Sequence, residues 1–281
     1  MAQNHSKKNI LITGSSGFIG KNLITKLVYH NVIKLSTKNL STKFSEHKKP
    51  IDIIIHLGAV TPYNIKKNKS YLKENYLSVL DLLNFSVQNK IKKIIFCSTY
   101  VYGNPTSLPV NELHLVSPHN EYAQSKYFGE QLCEFYHKFF GIDIIILRPF
   151  NIYGPNQNSN YLIPNIIDSI LTNKKIKILN VNSKRDFLHV DDFISLILKL
   201  ISNDFKFEIY NVGSGKSFSF KQIIKKCENL TKQKINAIYE NDESNFIPEI
   251  RCDNSKITHD LDWNPEISIN MGLKSILKSK L

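Results

Sequence analysis

Asn9-Ile10-Leu11-Ile12-Thr13-Gly14-Ser15-Ser16-Gly17-Phe18-Ile19-Gly20 is the stretch that decides the fold. The apolar run from Lys8 to Thr13 predicts a strand, and an amphipathic pattern from about Lys21 to His30 predicts a helix. Glycines at a strand-to-helix turn let backbone approach a pyrophosphate, whose charge the helix N-terminus meets. A tight turn without a ligand is the plainer reading of the same glycines. The strand before and the helix after weigh against it. Gly14, Ser16, Gly17, Phe18, Ile19 and Gly20 are therefore candidate contacts of a dinucleotide.

A second strand, Val32 to Leu35, follows. At its end, about 20 residues beyond the glycines, an NAD-binding fold carries an acid for the ribose 2′-hydroxyl. Here the chain reads Ser36-Thr37-Lys38, with no carboxylate before Glu46. Two hydroxyls and an ammonium suit a 2′-phosphate, so NADP(H) is favoured, with NAD(H) as the other reading. Ile51 to Ala59 is a continuous apolar run, as a buried parallel strand should be. Leu57, Gly58 and Ala59 at its end let a dinucleotide pass close to the backbone, while His56 reads as packed. Only about Lys38 to Pro50 separates these strands, so the usual intervening unit is abbreviated. A helix around Tyr71 to Asn89 and a strand Lys93 to Ser98 continue the alternation, which implies right-handed βαβ units and a parallel sheet. The expected fold is α/β: a Rossmann doubly wound parallel sheet with a smaller C-terminal substrate-binding α/β lobe.

Tyr122-Ala123-Gln124-Ser125-Lys126 carries the candidate chemistry. Four residues apart on a helix that begins after Pro118, Tyr122 and Lys126 share a face. A neighbouring cation favours the phenolate and brings a phenol of ordinary pKa about 10 towards the working range. Ser98, at the sheet edge where α/β folds bind ligands, offers a hydroxyl for the substrate oxygen that gains or loses the proton. Hydride transfer at a sugar or alcohol carbon needs this set. The spacing alone is common: Tyr63 and Lys67 share it and read as a solvated pair. The same helix continues Phe128, Leu132, Phe135, Tyr136 and Phe139, a stripe that is either core or a face for a second copy of the chain.

Taken together, the chain resembles the extended short-chain dehydrogenase/reductase family of the NAD(P)-dependent epimerase/dehydratase type, over nearly its whole length. The residues that carry the resemblance are Thr13-Gly14-x-x-Gly17-Phe18-Ile19-Gly20, His56-Leu57-Gly58-Ala59, Ser98 with Val101-Tyr102-Gly103, Tyr122-x-x-x-Lys126 and Arg148-Pro149-Phe150-Asn151-Ile152-Tyr153-Gly154-Pro155. Arg185 to Asp192 and Tyr210 to Gly215 continue it. The resemblance implies that Tyr122 is the acid/base, that Lys126 binds the nicotinamide ribose and tunes the phenol, and that Ser98 hydrogen-bonds the reacting oxygen. It places Pro149 and Asn151 beside the nicotinamide and the substrate phosphates, Thr99 beside the substrate, and Arg185 on the diphosphate of a nucleotide sugar. Arginine's planar fork suits that task, although a surface Arg185 paired with Asp186 is the plainer alternative. Arg251 is a second candidate phosphate ligand.

Dehydratases of this family carry an acidic pair where this chain has Thr99-Tyr100, which argues against 4,6-dehydration. NADPH-dependent reduction at C4 of a 4-keto-6-deoxy nucleotide-diphosphate sugar is the expected reaction. NAD-dependent 4-epimerisation is the alternative, and a non-catalytic cofactor-binding regulator is a third reading that the intact Ser98/Tyr122/Lys126 set disfavours. Arg185 reads as part of a polar turn, and His189-Val190-Asp191-Asp192 as a helix start capped by its own carboxylates. The expected domains are 1–152 with about 188–213 for the cofactor, and 153–187 with 214–281 for the substrate.

Composition limits the alternatives. The 281 residues are 42% hydrophobic with a formal net charge of +13. The excess lysine is scattered and no nucleic-acid-binding signature accompanies it, so no nucleic-acid partner is expected. The four cysteines, Cys97, Cys133, Cys227 and Cys252, have no metal-type spacing and read as buried free thiols of a reducing compartment. No metal and no membrane span are expected. A cytoplasmic homodimer is.

Overall fold

The computed structural model describes residues 6–35, 50–62, 70–242 and 246–280. By compactness the chain divides into two units: Met1–Val101, Pro118–Pro149 and Ile194–Tyr210 form one; Tyr102–Ser117, Phe150–Phe193 and Asn211–Leu281 form the other.

The first unit is built on a sheet. Strands β1 (Asn9–Thr13), β2 (Asn31–Leu35), β3 (Ile53–His56), β4 (Lys93–Cys97) and β5 (Asp143–Pro149) pair in parallel in the order β2-β1-β3-β4-β5, and β9 (Glu208–Val212) extends it beyond β5. The strand order reverses between β1 and β3. In open α/β sheets the crevice at such a switch point, outside the carboxyl ends of the strands, is where ligands bind. The central strands are almost wholly buried because isoleucines fill both faces: Ile10, Ile12, Ile53, Ile54, Ile55, Ile94, Ile95, Ile144 and Ile146 are all at or below 1% exposure. Helices α2 (Tyr71–Gln88) and α3 (Glu121–Phe140) close one core on this sheet through Val79, Leu82, Leu83, Phe85, Cys133 and Tyr136.

The first helix, α1 (Phe18–Ile24), is shorter than the expected Lys21 to His30 and begins earlier. Its own polar residues end it. Asn22 Nδ2 donates to the Phe18 carbonyl and Thr25 Oγ1 to the Asn22 carbonyl, and three-residue turns replace the helix from Lys26 onward. By contrast α3 runs its full length. Asn120 caps it by accepting from the Ala123 N–H, and Gly141 at φ +63° closes it.

The second unit holds a three-stranded sheet, β10 (Ser217–Ser219), β8 (Lys184–His189) and β6 (Asn151–Tyr153), and a parallel pair β7 (Ile176–Leu179) with β11 (Ala237–Glu240). Helices α4 (Leu162–Thr172), α6 (Phe220–Thr231) and α8 (Ile269–Lys280) enclose its core around Tyr153, Ile166, Ile167, Ile223 and Leu273. Helix α5 (Val190–Ser202) crosses from this unit to the first in sequence, and the short α7 (Ser255–Leu261) precedes α8.

Three expectations are corrected here. Arg185 lies in strand β8, paired with Phe218, and not in a turn. Asp192 does not cap its own helix: its two oxygens accept from the backbone N–H groups of Glu266 and Ile267, tying the approach to α8 onto α5. Residues 102–117, which an in-order reading leaves with the cofactor domain, group with the second unit. Val110 bridges Cys252, the Tyr102 hydroxyl donates to Asn211 Oδ1, and Glu112 accepts the Asn211 N–H.

Candidate active site

The turn after β1 is where the fold is tightest. Gly14 sits at φ +71°, and a methyl group built on it would lie 2.6–2.7 Å from the backbone of Leu57 and Gly58. One on Gly20 would lie 2.3 Å from the Gly14 carbonyl oxygen. Only glycine fits either place. Leu57 donates its N–H to the Thr13 carbonyl and Gly58 to Thr13 Oγ1, both at 3.2 Å, so the segment after β3 is laced to the end of β1. Ser16 and Gly17 are exposed at the turn, with Phe18 and Ile19 partly so. Ser36, Thr37 and Lys38 lie outside the described residues.

Lys126 is 2% exposed. Its ammonium lies 4.4 Å from the centre of the Phe96 ring, and no hydrogen-bond partner for it is found among the described residues. Burial pulls its pKa below the usual lysine range, against the opposing influence of Cys97, Cys133 and Glu130. His56, fully buried with its ring stacked 5.6 Å from that of Phe96, is pushed down to about 3 by burial and then by the charge of Lys126. It stays neutral, hydrogen-bonded to Thr13 Oγ1 at 2.7 Å, and is packed as expected.

Tyr122 occupies the first turn of α3, one turn before Lys126, half-buried and edge-on to Tyr71. Ser98 follows β4 directly. Its Oγ donates to Glu130 Oε1 at 2.5 Å, and Glu130 in turn takes Arg148 Nε at 3.1 Å and Nη2 at 2.6 Å. The end of β4 and helix α3 thus bring Ser98 and Lys126 to one place, with Tyr122 on the same helix. Pro149 is buried at the end of β5, and Thr99 is partly exposed beside Ser98.

Two residues in this unit were not legible as site residues. Glu130 is one; its only sequence signal is the run Tyr122, Lys126, Glu130 at four-residue steps on a helix whose other buried positions are apolar or small. Asn75 is the other. Its amide makes a reciprocal pair with the Val60 backbone and donates to Ser125 Oγ, which donates to the Tyr122 carbonyl. A single buried asparagine therefore joins the loop after β3 to the helix of Tyr122.

In the second unit, Arg185 Nη1 donates to the carbonyls of Lys184 and Ile247, and its guanidinium stacks near Phe220. Asp186 is turned away from it, accepting from Ser214, Gly215 and Cys252, so the simple Arg185–Asp186 pair is not the arrangement found. Arg251 Nε is buried without a hydrogen-bond partner. The exposed Asn151 donates to the Asp186 carbonyl. All four cysteines are buried and unpaired.

The family model described as NAD dependent epimerase/dehydratase family matches residues 10–213. The chain belongs to that family. It is an NAD(P)-dependent enzyme of the extended short-chain dehydrogenase/reductase type. A putative UDP-glucose 4-epimerase of Methanocaldococcus jannaschii is 30% identical over 95% of this chain and 97% of its own. A GDP-6-deoxy-D-mannose reductase of Pseudomonas aeruginosa is 27% identical over 96% of each. The solved structure of RMD from Pseudomonas aeruginosa complexed with NADPH superposes with a TM-score of 0.88 at 26% identity, covering 97% of this chain and 98% of that one. The residues present fit the family's cofactor. The glycine turn and the 57–59 segment supply close backbone at the switch point, and the buried Lys126 ammonium is a donor that ribose hydroxyls would satisfy. No helix among the described residues is long and apolar enough to cross a membrane.

Proposed function

We propose that the protein is an NADPH-dependent reductase acting at C4 of a 4-keto-6-deoxy nucleotide-diphosphate sugar. The observation that carries this reading is the pairing of an intact Ser98, Tyr122 and Lys126 with Thr99-Tyr100 in place of two acids. Proton transfer at the carbonyl is provided for, and elimination across the ring is not. The cofactor, when bound, supplies the hydride; Gly14, Ser16, Gly17, Phe18, Ile19, Gly20, Leu57, Gly58, Ala59 and Pro149 would hold it, with Lys126 on the ribose. Ser36, Thr37 and Lys38, which lack a ribose-binding acid, favour the 2′-phosphate of NADP. Tyr122 gives its proton to the carbonyl oxygen, and the Lys126 ammonium on the same helix face stabilises the phenolate left behind. Ser98 and Thr99 border the reacting oxygen. Arg185 and Arg251 hold the diphosphate, with Asn151 alongside; the unpaired buried Nε of Arg251 is a donor position that a phosphate oxygen would satisfy.

The reductase from Pseudomonas aeruginosa supports this reading. The putative epimerase at 30% identity favours the second one, 4-epimerisation with the cofactor retained. Mixing the protein with NADPH or NADH and a panel of 4-keto-6-deoxy nucleotide sugars separates them. Stoichiometric loss of the reduced-nicotinamide signal, faster with NADPH, is the expected result. Interconversion of UDP-hexoses with no net oxidation would replace it with the epimerase. Tyr122→Phe is expected to lower turnover by about 10²–10⁴-fold while cofactor binding stays within twofold.

Phe128, Phe135, Phe139 and Phe140 stand 37–70% exposed on α3. We assign this ridge to contact with a second copy of the chain. Phe135→Glu with Phe139→Glu is expected to convert a dimer to a monomer in sedimentation.

A further inference from the structure

We propose that the ring of Phe96 is the seat of the Lys126 ammonium. A π face, in place of a hydrogen-bond acceptor, holds the charge where the cofactor ribose and the Tyr122 phenol need it. This rests on the role given to Lys126 above.

An ammonium shut away from water needs something negative beside it. Lys126 is 2% exposed, and no acceptor bonds it among the described residues. Four titratable groups face it from the elements around it. Glu130, one turn further along α3, spends its oxygens on Ser98 and Arg148. Burial keeps Cys97 and Cys133 as neutral thiols, the first pushed up to about 11, and keeps His56 a neutral ring. What remains is Phe96, wholly buried, with its ring centre 4.4 Å from the Lys126 Nζ. That is inside the roughly 6 Å over which the negative face of a ring attracts a cation, and the attraction is strongest where water is excluded.

The fold fixes the ring for this task. Phe96 is paired with His56 in β3 and with Ile146 in β5, and the His56 ring stacks on it at 5.6 Å. Helix α3 gives it room. A methyl group built on Gly129 would lie 2.9 Å from Phe96 Cζ, at the tip of the ring. Glycine weakens a helix interior. This one, three residues after Lys126 on the same face, makes the notch that the ring enters. The lysine has three donors. Attraction to a π face uses no acceptor atom, so the N–H bonds turned away from the ring stay open to ribose hydroxyls. Phe96 is on this account a positioning residue: it acts on the chemistry only through Lys126.

The test replaces Phe96 with phenylalanine fluorinated at one and then at both ortho carbons, away from the tip that meets Gly129. Each fluorine drains the negative face and adds little volume. In the full chain without added cofactor, the Lys126 ammonium followed by NMR should titrate about 0.3 pH unit lower per fluorine, a twofold step in its acid constant. A side chain that only fills space would leave that midpoint where it is. Urea unfolding gives a second readout. The fluorines should cost stability in the unmodified chain and little in Lys126→Met, which has no cation to attract. A midpoint that does not fall, or an equal cost in both backgrounds, would overturn the inference and leave the reaction reading intact. A midpoint that falls in a protein that turns over no 4-keto nucleotide sugar would keep the seat and remove that reading instead.

Discussion

Glu130 in the first unit and Asp186 in the second are both carboxylates sealed from water, and the fold satisfies them with opposite kinds of partner. Glu130 meets one guanidinium and one hydroxyl. Asp186, at 0% exposure, meets only neutral donors: the N–H and Oγ of Ser214 and the N–H groups of Gly215 and Cys252, at 2.6–3.0 Å. Burial pushes the Asp186 carboxyl up, and those four hydrogen bonds pull it back. The difference follows from what each has to hold. Asp186 gathers three stretches of chain far apart in sequence, so its bonds are spread over backbone. Glu130 joins two side chains, Ser98 and Arg148, so its bonds go to side chains alone.

The comparison breaks most sharply at Glu130. Glu130→Ala leaves the Arg148 guanidinium buried without an anion, and urea unfolding should show a loss of about 3–5 kcal/mol. Replacing both partners by Met should recover most of that loss, because a well-packed apolar pair leaves no uncompensated charge. Asp186→Asn strands backbone donors but no charge, and the same measurement should give a smaller loss, about 1–3 kcal/mol. An Asp186→Asn loss larger than that of Glu130→Ala would reverse the contrast drawn here.

His56 sharpens it at the lower end. Its pKa is about 3 in the fold and 6.5 when free, so between those values the unfolded chain takes a proton that the folded chain does not. Stability is therefore lost as the pH falls through that window. His56→Gln removes this dependence. Its stability deficit against the unmodified protein should narrow as pH falls from 7 to 4, by at most about 1.4 kcal/mol per pH unit. A deficit that stays constant over that range would show that His56 is protonated in the fold.

Much of the fold was legible because it is written in local pattern. The Thr13–Gly20 turn, the apolar runs of β1, β3 and β4, and the four-residue spacing of Tyr122 and Lys126 each depend on neighbours within one or two turns of chain. One error is local, and the other two fall where long-range contact decides. The end of α1 is set by Asn22 and Thr25 bonding to the helix's own carbonyls, in competition with its apolar period. Arg185 sits among polar residues yet belongs to a strand, because Phe218 supplies its partner from 33 positions away. Residues 102–117 join the second unit through Asn211 and Cys252.

The sequence by itself determined the kind of sheet, the place of the glycine turn and the choice of Ser98, Tyr122 and Lys126 as candidates, since spacing and residue chemistry are properties of the chain alone. Only the tertiary structure decided what those groups can do. A hydroxyl's role as donor or acceptor, a lysine's proton affinity and a carboxylate's partner depend on which atoms from other segments are sealed in beside them. Glu130 and Arg148 meet Ser98 only because α3, β4 and β5 pack together.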